Sequence, residues 1–423
     1  MAHIRRLAAA AAAVALVPIS GGTAQATPPT ETASVIADWN AVASTTLLND
    51  TAKTPQENIV YLAFTHAAMY DAVVGIHPRY EPYQRQAPAP RSASATAAAA
   101  AAAHQILVTY SPYARAALDE ALAATLAQVK DGAAETAGVA YGRGVAQQLI
   151  NLRSDDGRNA PVQYTRVPEP GVWRPTPPAN ALFGVPWLGG VTPMLIRDVK
   201  RFAPPAPPSL TSRRYTRDFT EVKAFGSAGS TERTTAQTDT ARFYSGNAVV
   251  QVNTALRDQA SVRRLDIVDS ARMLAAVEMA IIDAVIVTWH AKLHQPLWRP
   301  VTAIQLADTD GNPATTADPS WTPLIATPNY PDWVSGYNAV IGAFTRALEH
   351  VVGRRLNLTL TSTAVPGAVR HYDSGAALRA DVVDARVWLG IHFRAADTAA
   401  RTMAVDLAAW TSRHYFRPTG RRT

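Results

Sequence analysis

The run from Ser261 to Lys292 limits the fold more than any other stretch of this chain. Its interior, Ala271 to Trp289, is almost wholly apolar, with Glu278 and Asp283 as its acidic interruptions. A helix that is apolar around its circumference must be buried on all sides, and two carboxyl groups within it argue against a membrane span. Other helices must therefore wrap it. Period-two alternation never recurs at sandwich or barrel spacing, so the fold class is all-α. At 423 residues the chain is long enough for one large domain over 27–423.

Helical spacing predicts further helices over 35–48, 56–74, 93–110, 112–129, 133–153, 213–226, 231–243, 338–352, 374–395 and 396–415, with a short extended piece in 355–365. The second of these is apolar around most of its face, which makes His66 and Asp71 satisfied core groups. The alanine tract from Ala97 to Ala103 favours helix strongly and suits close helix packing. From Asp155 to Pro208, repeated prolines exclude regular helix. A loop of that length covers something or works, and Trp173 and Arg174 within it are placed either over a pocket mouth or in a packed surface meander.

Residues 1–26 read as a signal peptide. Arg5 and Arg6 precede an apolar run from Leu7 to Val17, and Ala24-Gln25-Ala26 offers a small-x-small cleavage site. The expected product is secreted, by the general or the twin-arginine route. Net charge is +7, two charges of it in the leader. No dense Lys/Arg run with interleaved aromatics accompanies it, so no nucleic acid is expected as partner; the surplus suits small anions. Cysteine is absent, which removes disulfides and thiol chemistry and leaves the compartment open.

Three segments carry chemistry. They are Lys292-Leu-His-Gln-Pro-Leu-Trp-Arg299-Pro300, Pro331-Asp-Trp-Val-Ser335-Gly336-Tyr337 and Ala385-Arg386-Val-Trp-Leu-Gly-Ile-His392. Two guanidinium groups, one ammonium, a hydroxyl beside a glycine amide, and an imidazole suit a tetrahedral oxyanion. Arg299, ahead of a proline, is biased to extended backbone, and Ser335-Gly336 opens a helix whose free N–H groups face outward along its axis. On a straight helix Arg386 and His392 project about 120° apart, so convergence needs the arginine's reach or a break in the helix. Other chemistries fit less well. His290 and His294 lie one turn apart, but no glutamate follows His290 as a hydrolytic zinc site requires. Asp308 to Asn312 begins like a calcium loop and lacks the closing glutamate. Trp333 and Tyr337 occupy both glycine positions of a Gly-x-Ser-x-Gly elbow around Ser335.

In spacing and composition the three segments resemble the motif shared by vanadium-dependent haloperoxidases and type 2 phosphatidic acid phosphatases. The stretches around Tyr61–Val74, Pro170–Pro178 and Pro328–Tyr337 are similar to the secreted actinobacterial branch of that superfamily. The resemblance implies a helical fold of two four-helix bundles, with an oxyanion site in 292–397. It implies that Lys292, Arg299, Arg386, Ser335 and the Gly336 amide bind vanadate, with phosphate as a competing anion. His392 would be the axial ligand to vanadium or, in a phosphatase, the nucleophile. The implied partners are hydrogen peroxide, a halide and a small organic substrate, or else a phosphate ester; a homodimer is left open. Three departures stand out. Tyr337 replaces the histidine expected to move the proton, and a phenol with a pKa of about 10 is a poor base at neutral pH. Ala385 replaces the usual serine. Asp397 lies five residues past His392 instead of four, which leaves open whether it or a backbone carbonyl orients the imidazole. The expected activity is haloperoxidase, weakened at Tyr337; a phosphatase and a non-catalytic anion-binding protein are the alternatives.

Overall fold

The computed structural model describes residues 31–420, so the signal peptide expected over 1–26 lies outside it. The first group of helices is α1 (Val35–Asn49), α2 (Pro55–Ile76), α3 (Ala95–Tyr110), α4 (Arg115–Leu126) and α5 (Ala133–Leu152). After the proline-rich connection come α6 (Arg213–Phe225), α7 (Thr235–Phe243), α8 (Ala248–Val262), α9 (Ile267–His294), α10 (Pro300–Gln305) and α11 (Gly336–Val352). A two-stranded antiparallel hairpin, β1 (Leu358–Thr361) and β2 (Val369–Tyr372), precedes α12 (Gly375–Trp388) and α13 (Arg394–His414). The fold is helical, as the sequence predicts, and the extended piece expected in 355–365 is β1.

α9 is the common member of two helix groups. α2 packs on it from one side, backed by α3 and α5; α11 and α13 pack on it from the other. Nearly every residue from Ile267 to Ala291 is buried, which is what its all-round apolar sequence demands. Its start is not at Ser261. Arg264 takes left-handed backbone (φ 51°), and the Asp266 side chain accepts from the amides of Val268 and Asp269. That cap begins a new helix, and the residues before it belong to α8, which the sequence reading missed.

Local chemistry fixes the other elements. α2 begins at a capping box: the Thr54 hydroxyl accepts from the Glu57 amide, and the Glu57 carboxylate from the Thr54 amide. Although α2 is long and apolar enough to cross a membrane by composition, it is buried inside the protein. The alanines of α3 let α5 approach closely. A Cβ on Gly142 would sit 2.0 Å from the Ala98 carbonyl oxygen, and one on Gly138 2.4 Å from that of Ser94. The proline-rich connection is held down by Asp283 of α9, whose carboxylate accepts from the amides of Met194, Leu195 and Ile196 at 2.6–2.9 Å. Trp173 is buried against Tyr164 and Phe183 rather than laid over a pocket mouth. Its amide donates to the Pro296 carbonyl, which ties the connection to the end of α9.

Candidate active site

The helix predicted over 374–395 stops early. α12 ends at Trp388, Gly390 has φ +77°, and a Cβ there would meet the Gly226 carbonyl oxygen at 2.3 Å. Only glycine fits, on both conformational and steric grounds. His392 thus lies in the turn between α12 and α13, free of the helical spacing that would have pointed it away from Arg386.

The imidazole is buried, and its Nδ1 stands 2.6 Å from Asp332 Oδ1. Arg299 Nη1 donates to the Ile391 carbonyl at 2.7 Å and lies 3.2 Å from His392 Nε2 and 3.8 Å from Asp332 Oδ1. Arg299 Nε is taken by the Tyr330 carbonyl, while Nη2 has no partner. Burial, then Arg299, Arg386 and Lys292, push the His392 imidazolium well below its ordinary range. Burial likewise raises Asp332, to about 7, against the pull of Arg299 and Lys292. A proton held between Nδ1 and Oδ1 would leave the Nε2 lone pair facing Arg299 Nη1. Asp332 is the residue sequence reasoning passed over. Its signal was there: an acid inside Pro331-Asp332-Trp333-Val334, among bulky apolar neighbours, needs a partner once buried.

Lys292 reaches the site from the end of α9, fully buried, but its ammonium donates to the carbonyls of Pro331 (2.5 Å) and Asp332 (3.3 Å). Burial and the neighbouring Arg299 lower its pKa well below the usual lysine range. Both contacts hold the loop to the end of α9. Ser335 is the N-cap of α11. The first bond of that helix runs from the Ala339 amide to the Ser335 carbonyl, so the Gly336 and Tyr337 amides precede it. Arg386 donates through Nη1 to the Tyr244 carbonyl at 3.0 Å and stacks on the Tyr337 ring at 4.8 Å, with Nε unpartnered.

Tyr337 itself is turned away from proton transfer. Its hydroxyl donates to Gln251 Oε1, and Gln251 in turn donates to the Thr361 carbonyl. Burial pushes the phenol above its ordinary pKa. Asp397 does not touch His392's Nδ1; it accepts from Asn338 Nδ2 at 2.8 Å. The orienting group left open by the sequence is thus Asp332. Arg299 lies against His392, Arg386 on the Tyr337 ring, and Lys292 on the loop that carries Asp332; the buried carboxyl groups of Asp332 and Asp397 join a set read as purely cationic.

A cavity of about 400 Å³ opens onto Arg386, Gly336 and Tyr337, with Trp289, Tyr330 and Pro328 in its walls. Two buried guanidinium N–H groups without partners and the start of α11 suit a small oxyanion.

Residues 272–420 match the family model described as the VCPO second helical-bundle domain. No curated protein matches the chain in sequence. Among solved structures, a bacterial vanadium-dependent iodoperoxidase is similar with a TM-score of 0.79 at 22% identity, over 92% of this chain and 98% of that one. A bacterial vanadium-dependent chloroperoxidase in its apo form gives 0.69 at 18%, over 84% and 92%. A holo form of such an enzyme gives 0.67 at 18%, over 86% and 93%.

Proposed function

We propose, for a chain that belongs to the superfamily of vanadium haloperoxidases and type 2 phosphatidic acid phosphatases, a vanadate-dependent oxidation of halide by hydrogen peroxide. The observation that carries the reading is a pair of unpartnered donors beside an oriented imidazole. Arg299 Nη2 and Arg386 Nε are buried with nothing to bond, beside an imidazole whose Nδ1 is committed to Asp332. Buried donors of this kind are costly unless a ligand satisfies them. Bound vanadate would supply the Lewis-acid centre at which peroxide is activated.

The chain's own groups do the rest. His392 offers Nε2 as ligand, held in one tautomer by Asp332. Arg299 and Arg386 would neutralise the anion's oxygens, joined by Lys292 and the Ser335 and Gly336 donors. The aromatic walls of Trp289 and Tyr330 exclude water from the cationic side. Weak turnover is expected, because Tyr337 is a neutral ring under Arg386 and moves no proton near neutral pH. The test is bromination of a diketone dye with vanadate, bromide and peroxide; absence of both turnover and stoichiometric vanadium after dialysis would sink the proposal.

One observation favours a second reading. An imidazole backed by a carboxylate at 2.6 Å is also a nucleophile held in one orientation, which suits a phosphatase working through phospho-His392. Hydrolysis of p-nitrophenyl phosphate separates the two, since vanadate activates the first enzyme and blocks the second. Export is proposed on residues 1–26 alone, and a mature N-terminus near Thr27 in protein from culture medium tests it.

A further inference from the structure

Asp397 has a property that a purely cationic anion cage lacks. It is fully buried in the first turn of α13, one oxygen accepts from Asn338 Nδ2 at 2.8 Å, and Oδ2 has no partner. The same Asn338 amide lies 3.4 Å from the Ser335 hydroxyl at the start of α11. The charged groups around Asp397 are Lys292 from α9, Arg299 ahead of α10, Asp332 from the loop before α11, and Arg386 from α12. An ionised carboxylate accepts hydrogen bonds and donates none. An anion that met an ionised Oδ2 would therefore find an acceptor that it can satisfy only with a hydrogen of its own.

We propose that Asp397 and the bound anion hold one hydrogen between them, so that the site selects hydrogen-bearing oxyanions such as hydrogen phosphate and hydrogen vanadate over sulfate. The inference rests on the oxyanion reading above and adds a basis for selectivity to it. Hydrogen phosphate brings the hydrogen with it. Sulfate has none in neutral or alkaline solution, so it must either leave two acceptors in contact or bind only when Asp397 takes up a proton. Burial raises the Asp397 pKa, and Arg386 opposes that rise; sulfate binding should accordingly weaken as pH climbs, whereas hydrogen phosphate keeps its hydrogen.

The experiment is calorimetric titration of the full mature chain at about pH 9 with inorganic phosphate, sulfate and monofluorophosphate. The last has the charge and shape of hydrogen phosphate without the hydroxyl. Phosphate should bind at least about 10-fold more tightly than either of the others, the scale set by one unpaired buried acceptor. In Asp397→Asn, whose amide can donate to any of the three, the preference should shrink to within about threefold. Equal wild-type affinities, or a preference that survives in Asp397→Asn, would overturn the inference and leave the oxyanion reading standing. If no anion binds the wild type, the oxyanion reading itself fails and this inference goes with it. Should the variant not fold, the wild-type comparison of phosphate with monofluorophosphate decides alone.

Discussion

Replacing Asp332 with alanine tests the site at its most specific contact. Asp332 Oδ1 stands 2.6 Å from His392 Nδ1, and both side chains are buried. Its loss frees the imidazole to rotate and to change tautomer, and removes the nearest counter-charge of Arg299, 3.8 Å away. Loss of a partner that orients a metal ligand typically weakens affinity about 10- to 100-fold, or about 1.4–2.8 kcal/mol. Vanadate affinity, read by calorimetry, should fall in that range in Asp332→Ala. Asp332→Asn should recover most of it, because the amide oxygen can accept the same Nδ1–H. An alanine variant within about twofold of wild type would refute the argument that Asp332 sets the tautomer. An asparagine variant as poor as alanine would show that charge, not hydrogen-bond geometry, is what the site needs.

Tyr337→Phe keeps the ring beneath Arg386 and loses only the bond to Gln251, so phosphate affinity should stay within about threefold; Tyr337→His should raise dye halogenation, and robust wild-type turnover would refute the weight placed on this position. Asp283→Ala strands three buried amides at once, which should cost about 3–5 kcal/mol in urea unfolding; a loss under about 1 kcal/mol would show that the proline-rich connection is held by other means. Glu278 is buried, and burial raises its pKa to about 8 from 4.5. The folded state thus keeps a proton that the unfolded chain has released, and this group's contribution to stability is lost as pH rises from about 4.5 to about 8. Glu278→Gln should flatten that fall by a few kcal/mol (about 2–4); identical pH slopes in the two proteins would contradict it.

Apolar periodicity and proline placement revealed most helices and the long irregular connection, because those signals are local. The division of the Ser261–Lys292 run was harder. Asp266 caps α9 at a position where hydrophobic spacing alone runs on, and Ser261 and Val262 of that run close α8 instead. The proposed anion-binding residues were nominated from residue type and spacing, since few other chemistries call for a lysine, two arginines and a histidine in that order. Their partners were not. Nothing in a linear pattern says that Lys292 bonds to the carbonyls of Pro331 and Asp332, or that Asp332 and Asp397 divide the roles of orienting His392 and facing Ser335. Such assignments depend on backbone approach across tens of residues. The apparent misalignment of Arg386 and His392 came from extending a helix past Gly390, a residue that stops it.

The ammonium of Lys292 deserves to be seen as a rivet as much as a charge. By fastening Pro331 and Asp332 to the tip of α9, it fixes the stretch from which Asp332, Ser335 and Gly336 all project. Catalytic defects in a Lys292→Met protein would then report slackness in that stretch along with the missing positive charge, and titrating in more anion could restore the second deficit only.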